Sequence, residues 1–121
     1  SGGNVASGSM LKQWSWDGST NLQWQLVSLG GGFYRIVNRT NAMVADSFGN
    51  AAAGATCRQA PWNGSNNQQW RLSDLGNGRY QIINRGTGTC MDSGGVSTVG
   101  SPLKLWPPGS STNLQWTITA T

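Results

Sequence analysis

The tetrapeptide NLQW at residues 21–24 returns as NQQW at 67–70 and again as NLQW at 113–116. Its tryptophans, Trp24, Trp70 and Trp116, stand 46 residues apart at both steps. Self-similarity at a fixed period of this size means one supersecondary unit used repeatedly, each copy burying its apolar face against the next. The same shift superimposes Leu11, Cys57 and Leu103, the basic residues Lys12, Arg58 and Lys104, the glycines Gly8, Gly54 and Gly100, and the apolar Leu26, Leu72 and Ile118. Two of the units share a further block: GGFYRIVN at 31–38 matches NGRYQIIN at 77–84, and Asp46 matches Asp92. A chain of 121 residues holds one domain with one core. It divides into unit 1 at 1–29, unit 2 at 30–75 and unit 3 at 76–121.

Alternation sets the secondary structure. Tyr34 and Ile36 flank Arg35, and Tyr80 and Ile82 flank Gln81, the period of a half-buried strand. Trp24 and Leu26 alternate in the same way, as do their two later copies. Turn signals such as LGNGRY and NRGTG separate these runs, and no segment carries a helical period. The expectation is an all-β chain with Trp24, Trp70 and Trp116 as a threefold layer in its core, large apolar plugs that hold each unit to the others.

Composition narrows the function. No apolar run approaches the roughly 20 residues that cross a membrane, and no charged segment leads into an apolar stretch at the N-terminus. Eight Lys and Arg against four Asp leave a moderate basic excess. Those residues are scattered rather than clustered, which speaks against a nucleic-acid partner. The cysteines, Cys57 and Cys90, fall at non-equivalent positions of different units, so two small buried thiols are expected and no bridge.

Three units are too few for a propeller, which needs about four blades. A Gln-x-Trp near the end of each unit is the mark of the ricin-B-like trefoil lectins and family 13 carbohydrate-binding modules, which this chain resembles along its whole length. The resemblance implies a β-trefoil, a closed six-strand barrel capped by three hairpins. Only Gln68-Gln69-Trp70 keeps the motif intact, since Leu22 and Leu114 replace the glutamine in the other units. By alternation that position shares the face of the buried tryptophan, where a glutamine needs hydrogen-bond partners and a leucine does not.

In the resembling lectins each unit builds a sugar pocket from an Asp on its second strand, a polar residue and an aromatic on its third, and an Asn just before the Gln-x-Trp. Unit 3 supplies Asp92, Lys104, Trp106 and Asn113. Unit 2 supplies Asp46, Arg58, Asn67 and Gln68, but Ala60 holds the aromatic place and Trp62 follows two residues later. Unit 1 supplies Lys12, Trp14 and Asn21, and its Asp would fall one residue before Ser1. The carboxylate accepts from two sugar hydroxyls, the indole faces the C–H side of the ring, and the Asn bonds from the side. Four tryptophans outside the repeated motif, Trp14, Trp16, Trp62 and Trp106, lie in turn-like flanks that suit this use or simply cover the hairpins. The cation of each set either pairs with the nearby Asp or meets an acid group on a polysaccharide; the salt bridge is the favoured expectation, because the pocket Asp repels an anionic ligand.

Catalysis is not expected. Glycoside hydrolysis ordinarily uses two carboxylates roughly 5 to 9.5 Å apart. The chain has no Glu, four Asp and no His, so no nucleophile-His pair and no zinc site can be assembled, and no cofactor is implied. The resemblance implies a secreted, non-catalytic module that targets a covalently linked glycoside hydrolase domain to plant or microbial polysaccharide such as xylan, galactan or arabinan. A free-standing lectin for cell-surface glycans is the second reading and a protein-binding trefoil the third. Three units of 46 residues need 138, and 17 equivalent to 76–92 are missing from unit 1. They carry barrel strand and pocket carboxylate together. The expected consequences are two open strand edges, filled by an upstream segment, another chain or a neighbouring molecule, and a first unit that is the poorest sugar site.

Overall fold

The computed structural model describes residues 3, 6–95 and 98–119. The outermost positions of units 1 and 3 therefore lie outside the described residues. Ten strands follow one another: β1 (Trp24–Gly30), β2 (Phe33–Asn38), β3 (Val44–Asp46), β4 (Ala55–Thr56), β5 (Arg58–Ala60), β6 (Trp70–Gly76), β7 (Arg79–Asn84), β8 (Cys90–Asp92), β9 (Lys104–Trp106) and β10 (Trp116–Thr117).

The repeated block reads directly as paired strands. β1 lies antiparallel to β2 with Leu26 opposite Ile36, and β6 lies antiparallel to β7 with Leu72 opposite Ile82. Both hairpins shift register at the same place, just before Gly30 and Gly76, where a positive φ of 84° or 85° suits a residue without a Cβ. Within unit 2, β2 also closes on β6, Tyr34 facing Trp70. Unit 3 repeats the closure, with Tyr80 of β7 facing Trp116 of β10. Barrel strands thus follow in the circuit β1, β2, β6, β7, β10, while β3 with β5 and β8 with β9 form the caps. This is a β-trefoil; among the described residues no counterpart of β2 or β3 precedes β1. Among the described residues no strand joins β10 to β1, so five of the six barrel strands are present.

Leu11, Ile36, Ala45, Cys57, Trp70, Met91 and Leu105 form the buried core, and Trp24 and Trp116 pack on its margin. Trp70 is fully buried, and its Nε1 donates to Ala45 O at 3.0 Å. Truncating such a ring to alanine costs about 3–5 kcal/mol. Trp116 makes the matching bond to Met91 O, also 3.0 Å. The layer is therefore threefold in position and unequal in burial, because Trp24 and Trp116 face a cleft of about 490 Å³ beside the opening. Both cysteines are buried free thiols, as their spacing leads one to expect.

The NLQW motif opens in a single 3-10 turn in each unit, at Thr20–Leu22, Asn66–Gln68 and Thr112–Leu114. Each closes through a glutamine N–H on the carbonyl three residues back: Gln23 to Thr20, Gln69 to Asn66 and Gln115 to Thr112. Three residues are too few to leave a helical period in sequence.

Candidate functional site

In unit 3 the short strand β8 ends at Asp92, a carboxylate whose Oδ1 accepts from Gly94 N at 2.8 Å in a tight Asx turn. The turn carries the chain back over the 3-10 turn of Thr112–Leu114, where Ser93 N donates to Asn113 O at 3.1 Å. Asn113 is packed under this loop so closely that a Cβ on Gly95 would lie 3.2 Å from its Nδ2. Lys104 is the register partner of Asp92 on β9, and its stem runs beside Gly94. Two residues on, Trp106 leaves the strand with 47% of its surface exposed. One edge of its ring leans on Gly54 of unit 2, where a Cβ would come within 3.3 Å of Cζ3. A nearly buried carboxylate and a side amide thus meet at one loop, with the exposed indole two residues along the strand that pairs with the carboxylate's own.

Unit 2 builds the same cradle with different parts. Asp46 Oδ1 accepts from Phe48 N at 2.7 Å, and its Oδ2 accepts from Gln68 Nε2 at 3.0 Å. Gln68 is fully buried and fully used: Nε2 also donates to Pro61 O and Oε1 accepts from Asn63 N. Asn67 lies under Gly49 as Asn113 lies under Gly95, tied by Ser47 N to Asn67 O at 3.0 Å. Arg58, the register partner of Asp46, donates through Nη1 to Gly8 O at 3.0 Å. Its guanidinium stands 6.0 Å from the Phe48 ring centroid. Those are the contacts the structure gives Arg58, so the favoured salt bridge yields to a carbonyl and an aromatic face.

Trp62 stacks on Arg35, its ring centroid 5.2 Å from the guanidinium carbon, and covers the hairpin. The aromatic next to Asp46 is Phe48, 49% exposed. Its ring stands over Gly8, the position that Trp106 holds over Gly54 and Trp14 over Gly100. Phe48 also has a φ of 56°, where its counterpart Gly94 has 68°. A bulky side chain in the left-handed region is uncommon and costly, and such strain gathers at functional positions. Sequence reasoning missed Phe48. The available signal was its register, an aromatic opposite Gly94 in the loop behind the pocket Asp.

Unit 1 keeps Lys12, Trp14 and Asn21. The Trp14 ring rests on Gly100, where a Cβ would sit 3.3 Å away, and Asn21 accepts from Ser19 Oγ. No carboxylate equivalent to Asp46 or Asp92 is supplied by the described residues. The carboxylates of units 2 and 3 lie on β3 and β8, which three strands separate in the sheet order.

These features have close counterparts in known proteins. Matches to the ricin-type beta-trefoil lectin domain-like family cover residues 1–60, 39–106 and 66–121. The chain is similar to the designed threefold-symmetric protein ThreeFoil, with a TM-score of 0.95 and 31% identity over 98% of this chain and 86% of that one. It is similar to an exo-beta-1,3-galactanase from Clostridium thermocellum at 32% identity and a TM-score of 0.85, over 89% of this chain but 24% of the galactanase. A ricin B-like lectin from Macrolepiota procera, solved with lactose, shares the fold at 20% identity and a TM-score of 0.77, over 89% of this chain and 77% of the lectin. No curated protein sequence matches. With family matches running from end to end over a threefold set of β hairpins, the chain belongs to the ricin-type beta-trefoil lectin domain-like family.

Proposed function

We propose that the chain binds carbohydrate without chemically altering it, and that its binding serves to hold a glycan-degrading enzyme on plant or microbial polysaccharide outside the cell. One observation carries the reading: in unit 3 the nearly buried Asp92 pairs in register with Lys104, two residues before the half-exposed Trp106 on the same strand, and the loop behind Asp92 packs on Asn113. An apolar platform next to a fixed carboxylate matches a sugar ring, which presents C–H groups on one side and hydroxyl donors at its rim. Unit 2 offers a second pocket from Asp46, Asn67 and Phe48. The carboxylates of the two pockets belong to separate units, an arrangement for holding two sugars rather than for cleaving one bond.

The similarity to the galactanase supports the enzyme-linked role, because this chain corresponds to about a quarter of that longer protein. The test is calorimetric titration with soluble xylan, galactan and arabinan beside short oligosaccharides of the same sugars, with reducing ends assayed in parallel. Two linked weak pockets predict tighter apparent binding to polymer than to oligosaccharide and no release of reducing ends. Absence of heat with every glycan refutes the reading, and release of reducing ends refutes its non-catalytic part.

A further inference from the structure

Four of the eight basic residues, Arg35, Arg71, Arg79 and Arg85, are scattered in sequence and gathered by strand pairing. Ile36, Trp70 and Ile82 turn toward the core, so alternation puts Phe33, Arg35, Arg71, Arg79 and Arg85 on the outer face of β2, β6 and β7. Phe33 is the register partner of Arg71. The Arg85 guanidinium stacks on the Phe33 ring, 4.3 Å from its centroid, while its Nη1 donates to Gln69 Oε1 at 2.8 Å. Arg35, on the same strand as Phe33, stacks on Trp62, and its Nε is shut off from solvent with no acceptor among the described residues. A buried donor without a partner is a cost that packing alone leaves unexplained. Asp74, the acid of β6, falls on the opposite face by the same alternation and accepts from Gly76 N at 2.8 Å. Among the described residues the contacts of Arg35 and Arg85 are aromatic rings and an amide, and none is a carboxylate.

The set does not repeat with the fold. Carried forward by 46 residues, Phe33, Arg35, Trp62 and Arg71 become Arg79, Gln81, Pro108 and Thr117; carried back, Arg71 and Arg85 become Gln25 and Arg39. Residues that the trefoil needs recur from unit to unit, as the core tryptophans do, so this cluster answers to something other than the fold. We propose that the outer face of β2, β6 and β7 is a second binding surface, separate from the Asp46 and Asp92 pockets, for a polysaccharide that carries carboxylate or sulfate groups. A guanidinium stacked by its flat face on a ring keeps edge N–H groups free, and that edge is the fork that matches an oxyanion. The rings also hold the arginines in place before a ligand arrives, which lowers the entropy lost on binding. Arg79 and Arg85 end the outward row of β7, about 20 Å apart by strand rise, a length that suits successive sugars of a polymer better than a single anion. Nucleic acid is the weaker fit, because single strands are held on open aromatic platforms and Phe33 and Trp62 already lie against arginine. That the anion belongs to a polysaccharide rests on the carbohydrate reading above; the cationic surface does not.

The test is calorimetric titration of the parent chain and its Arg71→Gln, Arg85→Gln and Arg39→Gln variants with polygalacturonate, dextran sulfate and neutral galactan. Arg39 bonds to Gln23 as Arg85 bonds to Gln69, so its variant loses the same charge and the same contact one unit away. At low salt the parent is expected to bind an acidic polymer, with affinity falling as salt rises; the tighter of the two polymers identifies the group as carboxylate or sulfate. Arg71→Gln and Arg85→Gln are each expected to weaken that binding about tenfold and to leave galactan binding unchanged, while Arg39→Gln keeps parental affinity. Arg71 is exposed, so its variant is expected to keep the parental Tm. An equal loss in Arg39→Gln overturns the proposal, because net charge is then the attraction, and so does failure of both acidic polymers to bind. Tighter binding of single-stranded oligothymidine, lost in the Arg71 and Arg85 variants, overturns the polysaccharide as occupant. Asp92→Asn separates the two readings: galactan binding lost with acidic-polymer binding intact supports two surfaces, and loss of both overturns the second. Acidic-polymer binding with no heat from any neutral glycan supports this surface and refutes the pockets.

Discussion

Gln68 donates to Asp46 Oδ2 at 3.0 Å from a fully buried position, whereas its counterpart beside Asp92 is Leu114, equally a core residue but without a polar atom. The two candidate pockets therefore hold their carboxylates differently. Asp46 is held by a turn amide and a side-chain amide. Asp92 is held by its turn amide, and Leu114 offers it no side-chain donor.

Replacing Gln68 with Leu is expected to destabilise the fold by about 1–3 kcal/mol, because Asp46 Oδ2, Pro61 O and Asn63 N all lose a buried partner at once. Urea unfolding followed by tryptophan fluorescence measures it. A change below about 0.5 kcal/mol would mean that water replaces the amide at no cost.

The Phe48→Gly variant separates strain from function. Relief of the left-handed backbone is worth about 1–2 kcal/mol. Against it stand the added freedom of a glycine in the unfolded chain, about 0.5–1 kcal/mol, and the lost contact with Arg58, about 0.5–1 kcal/mol. Stability is thus expected to stay within about 1 kcal/mol of the parent by those same magnitudes, while sugar-induced NMR shifts around Asp46 and Asn67 disappear. A large loss of stability with sugar binding intact would make Phe48 a packing residue.

Burial pushes the Cys57 thiol far up, and the charge of Asp46 adds to it; burial also raises the Cys90 thiol. Both thiols are protonated in the fold above their usual pKa of 9.0, while the unfolded chain releases those protons. The contribution to stability is complete below that value and is lost as pH rises through it toward the folded pKa. The expected slope above that value is about 1.4 kcal/mol per pH unit for Cys57, with Cys90 acting in the same direction, and a variant with both cysteines changed to Ala should lose it. At pH 8 neither thiol should react with Ellman's reagent until guanidinium is added, and prompt labelling of the native chain would contradict the burial.

Much of this was legible before any coordinate. The 46-residue period and the strands at Tyr34-Arg35-Ile36 and Tyr80-Gln81-Ile82 follow from alternation and register, which are local and repeat. Phe48 was hidden, because its importance comes from a left-handed turn that throws its ring over Gly8 of another unit. Trp62 was ambiguous for the same reason. Its partner Arg35 lies on a strand 27 residues earlier in the chain, a proximity that only the barrel creates. The unequal burial of Trp24, Trp70 and Trp116 depends on where the barrel is open, and three identical motifs cannot express that difference.

The most direct test of carbohydrate binding centred on unit 3 is a calorimetric titration of one oligosaccharide into the parent chain and its Asp92→Asn and Trp106→Ala variants. Asn keeps the acceptor for Gly94 N and removes the charge; Ala removes the platform while leaving the buried core untouched. Each change is expected to weaken the strongest site by about 1–3 kcal/mol, roughly 5- to 150-fold, with unchanged circular dichroism and Tm near the parent. Parental affinity in both variants would contradict the account, and place the sugar elsewhere on the fold.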